Sequence, residues 1–176
     1  MLSPLNLKTV LILKIRLYSN SSILKMRKKF IPAKLYSQIT DSVPISCADM
    51  VIKRNQSFLL VKRRENPAKN QWWLAGGIIA FGEKMLDTAK RKLKEELNIK
   101  SFSKIKPLGT AEIIFPENAF GHKEHDIINV FLVELNKKDS SRIKPDKTMY
   151  GYQWFLKIEK NFHPHIKKYL GIAGFK

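Results

Sequence analysis

Cysteine is nearly absent from this sequence, because Cys47 is the single one among 176 residues. One thiol excludes an intramolecular disulfide framework and a zinc site built from several cysteines. Glycine and proline number only eight each, which excludes collagen-like and other Gly/Pro-rich repetitive chains. In the N-terminal region the longest uncharged apolar run, residues 9–13, is far shorter than the roughly 20 residues that a membrane-spanning helix needs. We therefore expect no membrane-embedded segment and a cytoplasmic protein.

Acidic residues are missing from the first part of the chain, where residues 1–40 carry eight basic side chains and the first acid is Asp41. The whole chain has 33 basic and 15 acidic residues, a net charge of +18, which indicates a polyanionic partner such as a nucleotide, nucleic acid or an acidic membrane surface. We interpret residues 1–25 as a basic N-terminal extension, which is either an overlong gene start or dispensable tail, a targeting segment, or a functional basic arm. Residues 26–176 then form one domain.

Hydrophobic patterning predicts a mixed α/β fold. Apolar and β-branched runs between polar turns predict strands at residues 45–53, 58–63, 105–115, 127–135 and 152–156. Apolar residues at three- and four-residue spacing predict an amphipathic helix over residues 84–97, which Asn98 would cap. Shorter helices are predicted at residues 32–39 and 164–170, and residues 137–147 are predicted to be a long polar connection.

The predicted central helix carries charged residues with metal-binding character. Lys92, Glu95 and Glu96 lie on one helical face because they are three and four residues apart. Carboxylate oxygens are the ligands that Mg²⁺ and Mn²⁺ prefer. Arg91 lies one turn before Glu95 and can pair with it, and the residue pair 76–77, both glycine, lets a backbone carbonyl approach the same ion. Such a metal would bridge to a diphosphate and position a water molecule.

Seven residues stand in a register that resembles the Nudix box, whose pattern is G-x5-E-x7-R-E-U-x-E-E-x-G-U, with U a bulky apolar residue. They are Gly77, Glu83, Arg91, Leu93, Glu95, Glu96 and Ile99. Two positions depart from the pattern, since Lys92 replaces a glutamate and Asn98 replaces a glycine. The resemblance implies a Nudix-type α/β/α sandwich with a central mixed β-sheet and the box helix on one face. It also implies a hydrolase that acts on a nucleoside diphosphate linked to another moiety.

The same resemblance implies the residues of the site. Arg91, Glu95 and Glu96 are the expected catalytic residues. A single Mg²⁺ or Mn²⁺ ion would be held by the two glutamates and by the carbonyl of Gly76 or its neighbour. Lys92 removes a carboxylate from the metal face, which disfavours a site with several ions, and its ammonium would either contact phosphate or extend to solvent.

Residues 45–77 are similar to the GDP-mannose mannosyl hydrolase branch of the family, which cleaves at the anomeric carbon of the sugar. The similarity rests on a strand aspartate, a Lys-Arg pair after the second strand and a Pro-Ala-x-x-x-Trp loop before the glycines. It implies that Asp49 and Arg63 contact the substrate. Trp73 is predicted either to stack on a base or sugar or to pack in the core. The expected substrate is a nucleotide sugar that resembles GDP-mannose.

The general base of that branch has no counterpart here, because Thr148 and Met149 stand where the branch has Gln-His, and methionine accepts no proton. Replacement bases are predicted among His122, His125, Glu112, Glu117 and Glu124. Two alternatives stay open. One is pyrophosphate cleavage at phosphorus, of an ADP-ribose or NTP type, and the other is a weakened domain that binds a nucleotide or RNA without turnover. Nucleic acid is not the favoured partner, no membrane partner is expected, and a homodimer stays open.

Overall fold

The computed structural model describes residues 31–140 and 143–176, so the interpretations of residues 1–25 lie outside the described residues. Its helices are α1 (Ala33–Ser42), α2 (Met85–Leu97), α3 (Lys137–Ser140) and α4 (Pro164–Ile172). Its strands are β1 (Ile45–Arg54), β2 (Ser57–Arg63), β3 (Trp72–Trp73), β4 (Ala75–Ile78), β5 (Lys104–Phe115), β6 (Glu124–Glu134) and β7 (Met149–Phe155). All the predicted strands and helices are present, and the short elements β3, β4 and α3 are additional. Over these residues, no helix combines the length and the apolar character needed to span a membrane.

The seven strands form one mixed sheet, and β1 has neighbours on both sides. On one side β1 pairs in parallel with β6 over nine residue pairs, which start with Ile45 opposite Asp126. The other side of β1 is shared between two strands: β4 pairs antiparallel with residues 47–50, and β2 pairs antiparallel with residues 52–54. The polar residues of the site collect near the point where β4 replaces β2 beside β1.

Both faces of the sheet are covered, which explains why β1 is buried along most of its length instead of alternating between buried and exposed. On one face lies α2, whose fully buried apolar side chains are Ala89, Leu93 and Leu97. On the other face lies α4, which packs through Ile166 and Leu170. The predicted α/β/α sandwich, with the box helix on one face of a mixed sheet, is confirmed.

The end of α2 follows the sequence prediction closely. Asn98 has a left-handed backbone conformation (φ 57°, ψ 22°), and its N–H donates to the carbonyl groups of Leu93 and Lys94. Asparagine tolerates this conformation better than most residues. The predicted cap is therefore confirmed, and asparagine serves in place of the glycine of the box pattern.

Candidate functional site

Arg91 on α2 ties the loop before the helix to the next turn of the helix. Its Nε and Nη2 atoms donate to the two carboxylate oxygens of Glu83 at 2.8 and 2.7 Å, and its Nη1 atom donates to Glu95 at 3.0 Å. Glu83 also accepts hydrogen bonds from the hydroxyl of Thr88 at 2.7 Å and the N–H of Ala80 at 3.3 Å. The hydrogen bonds from Arg91 lower the pKa of Glu83 to about 2. The predicted pairing of Arg91 with Glu95 is confirmed, and Glu83 anchors the loop to α2.

Glu96 is buried, and both of its carboxylate oxygens have partners. Oε1 lies 2.8 Å from Nζ of Lys92, and Oε2 accepts the N–H of Gly76 at 3.0 Å. Burial raises the pKa of Glu96, and the nearby Lys92 opposes that change. The structure contradicts the expectation that Lys92 extends to solvent, because its ammonium forms an ion pair inside the site. Contact of this ammonium with phosphate stays a prediction. The lysine stem runs under Gly77, where a Cβ atom would lie only 2.5 Å from Cε of the lysine.

Gly76 brings β4 into close contact with β1. A Cβ atom at Gly76 would lie 2.1 Å from Oδ1 of Asp49 and 2.5 Å from the carbonyl oxygen of Ala48, so a larger residue fits only if the backbone moves. The N–H of Gly76 reaches Glu96 on α2 and not β1. Because the N–H and C=O of one residue in a strand point to the same side, the carbonyl of Gly76 also faces α2. This orientation favours Gly76 over its neighbour as the glycine that offers a carbonyl to a metal ion.

Asp49 is only 6% exposed. Burial raises its pKa to about 7, and the positive charge of Arg63 opposes that change while the carboxylate of Glu96 adds to it. The indole of Trp73 forms a hydrogen bond with the Asp49 carboxyl. Trp73 is itself only 2% exposed, and its ring stacks on His165 with 5.7 Å between the ring centroids. The structure therefore places Trp73 in the core, where it positions Asp49, and direct stacking of Trp73 on a ligand stays a prediction.

The site residues line one cavity of about 420 Å³. The predicted residues that line it are Asp49, Arg63, Trp73, Gly76, Arg91 and Glu96. Glu95 is not one of the lining residues, because its side chain is 40% exposed and is held by Arg91 at the rim. Arg63 lines the same cavity, and its positive charge acts on the carboxyl groups of both Asp49 and Asp126. The α2 end holds Lys92 and Glu96, and the inner end holds Tyr36, Phe120, Glu124 and Asp126.

Of the five predicted replacement bases, Glu124 is the one that lines the cavity. The ring of His122 lies 3.3 Å from the side-chain amide of Asn118, with which it stabilises the loop before β6. His125 pairs with Glu112 at 2.8 Å, across β6 and β5. These two histidines thus have local structural partners, and β6 contributes Glu124 to the cavity from its other face.

Sequence reasoning missed Asp126, because it started the strand at residue 127, whereas β6 starts at Glu124. Glu124 pairs with Phe115 of β5, and Asp126 pairs with Ile45 of β1. Alternate residues of a strand share a face, so both acids point to the side of Ile128, which lines the same cavity. Burial, followed by the charge of Glu124, raises the pKa of Asp126 to about 7. The sequence does contain a signal for these two residues. Glu124 and Asp126 continue the every-second-residue spacing of the buried residues of β6 towards its N-terminal end, although they are polar.

The oxygen donors at the α2 end suit one hard divalent cation. Glu95 and Glu96 offer carboxylates, and the carbonyl of Gly76 faces the same helix. Within residues 31–140 and 143–176, no group of three or more acidic, histidine or cysteine side chains is arranged to hold a metal. Since Lys92 also places a positive charge against Glu96, the donors fit a single ion and not a cluster of ions.

The chain is similar to several known proteins. The sequence pattern of the NUDIX domain matches residues 44–167. The low-salt glycan biosynthesis protein Agl8 of Haloferax volcanii is 26% identical over 142 residues, which are 80% of this chain and 88% of that protein. The ADP-ribose pyrophosphatase of Methanocaldococcus jannaschii is 34% identical over 56 residues, which are 32% of this chain and 33% of that protein. A MutT NUDIX hydrolase from Burkholderia pseudomallei has a TM-score of 0.60 at 22% identity, with 74% of this chain and 98% of that chain covered.

Proposed function

This chain belongs to the Nudix hydrolase family, and we propose that its substrate is a nucleoside diphosphate linked to a sugar. The distribution of charge in the cavity carries this proposal. Arg63, Arg91 and Lys92 line the cavity beside the buried carboxylate of Glu96. A diphosphate needs cations close to its oxygens, and the volume of about 420 Å³ lies in the range of small-molecule sites. The lining also includes Tyr36 and Phe120, whose rings offer apolar surface to the linked group.

The carboxylates of Glu95 and Glu96 and the carbonyl of Gly76 would hold one Mg²⁺ or Mn²⁺ ion. When bound, such an ion neutralises the diphosphate and activates water. The chain orients both carboxylates beforehand, because Arg91 holds Glu95 at 3.0 Å and the N–H of Gly76 holds Glu96 at 3.0 Å. Partners of this kind fix metal ligands in their productive orientation.

The remaining residues act on the substrate itself in this proposal. Arg63 and Lys92 face phosphate oxygens and offset their charge. Asp49 lies between the α2 end and the inner end of the cavity, and Trp73 holds its carboxyl in place. A carboxyl group with a pKa of about 7 is suited to accept a proton near neutral pH.

The relatives and the site support three candidates for what this chain does with its ligand. A sugar is supported by the similarity to Agl8, which is named as a glycan biosynthesis protein. A second candidate, cleavage of ADP-ribose at phosphorus, is supported by the shorter match to an ADP-ribose pyrophosphatase. A third candidate, nucleotide binding without turnover, is supported by Lys92 in the box and by Thr148 and Met149 in the cavity lining.

The experiment that tests the proposal is incubation of the full chain with GDP-mannose or ADP-ribose and Mg²⁺, with products separated by chromatography. GDP and free mannose would indicate attack at the sugar carbon, and GMP and mannose phosphate would indicate attack at phosphorus. Products from ADP-ribose alone would select the second candidate. Saturable binding of these compounds with no product from any of them would refute hydrolysis and select the third candidate.

A matched pair of variants links turnover to the site. Glu96→Gln removes the charge of the buried carboxylate beside Gly76, and we expect it to lower kcat by about a hundredfold or more, as loss of a catalytic electrostatic group does. Asp87→Asn makes the same carboxylate-to-amide change on the same helix, at a side chain that is 59% exposed and outside the cavity lining, and is expected to keep the activity of the wild type. Equal activity of the two variants would contradict the assignment.

A further inference from the structure

The inner end of the cavity holds two carboxyl groups that the phosphate end does not use. Asp126 and Glu124 are 6% and 8% exposed, and their side chains are hydrogen bonded to each other. The side-chain amide of Asn118 donates to Oε2 of Glu124 at 3.1 Å and thereby fixes that carboxyl. The pair is therefore held in place by the protein before any ligand arrives.

One oxygen of this pair has no partner from the protein. Oδ1 of Asp126 is buried and has no hydrogen-bond partner among the residues that the structure describes. Buried polar atoms are rarely left without a partner in native proteins. Asp126 lines the cavity, but Oδ1 itself has almost no accessible surface. A hydrogen-bond donor that enters the cavity therefore meets the carboxyl group of Asp126, and it reaches Oδ1 when that group rotates.

Charge restricts what that donor can belong to. Two carboxyl groups hydrogen bond to each other only when they share a proton, so the pair keeps one negative charge, which accepts hydrogen bonds and repels phosphate. Arg91 and Lys92 lie on α2 at the opposite end of the cavity, and Arg63 offsets part of the charge of Asp126. A diphosphate is therefore directed to the α2 end, and the group that reaches Asp126 and Glu124 carries hydrogen-bond donors.

The register of the sheet gives the spacing along the cavity. In the β1–β6 pairing, Asp49 lies opposite Val130 and Ile45 lies opposite Asp126. The backbones of Asp49 and Asp126 are thus four residues apart along the sheet, which is about 13 Å at roughly 3.3 Å per residue. The charge of Asp126 still contributes to the raised pKa of Asp49, so a single ligand can contact both.

The rim of the inner end is aromatic. The rings of Tyr36 and Phe120 meet edge to face with 5.7 Å between their centroids, and both residues line the cavity. Aromatic rings provide a large apolar surface with some polar character. A sugar ring, which has an apolar face and a hydroxyl-bearing edge, matches the combination of these rings with the carboxyl pair.

We propose that Asp126 and Glu124 bind hydroxyl groups of the sugar attached to the diphosphate, and that they thereby select substrates with a hydroxyl-bearing terminal group. This inference rests on the proposed function, since it assigns the inner end of the same cavity. A site built to bind a substrate hydroxyl discriminates strongly against compounds that lack it, because its buried polar groups then stay unpaired.

The test compares GDP-mannose with GDP, and ADP-ribose with ADP, in the full chain. The Michaelis constants of the sugar nucleotides and the inhibition constants of the nucleoside diphosphates are measured for the wild type, Asp126→Ala, Asp126→Asn and the control Asp87→Asn. Asp87 lies on α2 with a side chain that is 59% exposed. If turnover is too slow, dissociation constants of the same four compounds from isothermal titration replace the kinetic constants.

We expect Asp126→Ala to weaken the binding of the sugar nucleotides about tenfold or more. The inhibition constants of GDP and ADP should stay within about twofold of the wild-type values. Asp126→Asn keeps the size of the side chain and decides the question if the alanine variant fails to fold. Equal weakening of GDP and GDP-mannose would overturn the inference, because the pair would then bind the nucleoside. An unchanged affinity for all four compounds would overturn it as well.

Failure of the proposed function has a separate signature. If the wild type binds GDP and GDP-mannose with equal affinity, the inference is refuted, and the proposed diphosphate site is still supported. A wild type that binds none of the four compounds refutes both. The control Asp87→Asn must match the wild type in every measurement.

Discussion

Replacement of Lys92 by glutamate is the sharpest perturbation of the metal site. The Lys92 ammonium lies 2.8 Å from Glu96, and the two side chains are 20% and 9% exposed. Lys92→Glu removes this positive charge and adds a third carboxylate to the face that carries Glu95 and Glu96. Unit charges about 4 Å apart interact by about 4 kcal/mol at an effective dielectric constant of about 20. Side-chain movement and solvent screening cancel much of that energy, so we expect Mn²⁺ to bind at least about tenfold more tightly, or about 1.4 kcal/mol.

The assay is a titration of the ligand-free protein with Mn²⁺, in which electron paramagnetic resonance measures the concentration of unbound Mn²⁺. It requires no turnover. Lys94→Glu is the matched control, because Lys94 is an exposed lysine of the same helix and the substitution changes the net charge equally. Without metal, Lys92→Glu leaves Glu96 beside a like charge, and we expect a loss of about 2 kcal/mol in the free energy of unfolding. Mn²⁺ should restore this loss. The same Mn²⁺ affinity for Lys92→Glu and Lys94→Glu would refute the reasoning that Lys92 limits metal binding.

Three further predictions concern stability. Gly76→Ala places a Cβ atom 2.5 Å from backbone of β1, whereas Gly151→Ala meets nothing within 4 Å, so in urea unfolding the first should cost about 1–3 kcal/mol more than the second. Glu83→Gln weakens the hydrogen bonds from Arg91 and should cost about 1–3 kcal/mol, measured in the same way. The pKa of Asp126 is raised from 3.8 to about 7 in the folded protein, so its protonated form stabilises the fold below about pH 4 and this contribution is lost as the pH rises to about 7. The free energy of unfolding should therefore fall across this range by up to about 4 kcal/mol from this group, and the fall should be smaller in Asp126→Asn.

Each of these predictions has an outcome that contradicts it. Equal stability of the two alanine variants would mean that β4 and β1 are further apart than described. A neutral Glu83→Gln would mean that the loop needs no anchor on α2. Identical pH profiles of Asp126→Asn and the wild type would mean that Asp126 keeps an ordinary pKa in the folded state.

Most of the fold could be predicted because its elements bury apolar side chains at regular spacing. The helix over residues 84–97 and the strand over residues 45–53 are clear examples, and the structure has them at α2 and β1 within one residue. The start of β6 could not be predicted in the same way. Glu124 and Asp126 lie on the inner face of that strand, where their side chains line a cavity. The apolar residues by which a buried strand is predicted from sequence are therefore absent at these two positions.

The α2 end of the site was predictable by spacing, since Arg91 and Glu95 are neighbours on any helix. The partner of Lys92 depends on how closely β4 approaches α2, which requires glycine at position 77 and the N–H of Gly76 on the other oxygen of Glu96. Such distances are set by the packing of segments that are far apart in the sequence, so they cannot be predicted from a local sequence pattern.

The division of one side of β1 between β2 and β4 has a consequence for engineering. Arg63 ends β2, and Gly76 lies in β4, so two walls of the cavity belong to strands that both pair with β1. Of the segment between them, residues 72–74 are tied to β2 or buried in the core, whereas residues 64–71 are not buried and include Glu65, Asn66 and Pro67 of the cavity lining. A change of length within residues 64–71 would therefore reshape the rim of the cavity and leave the buried Trp73 and Leu74 in place, so this loop is where the size of the accepted molecule can be redesigned.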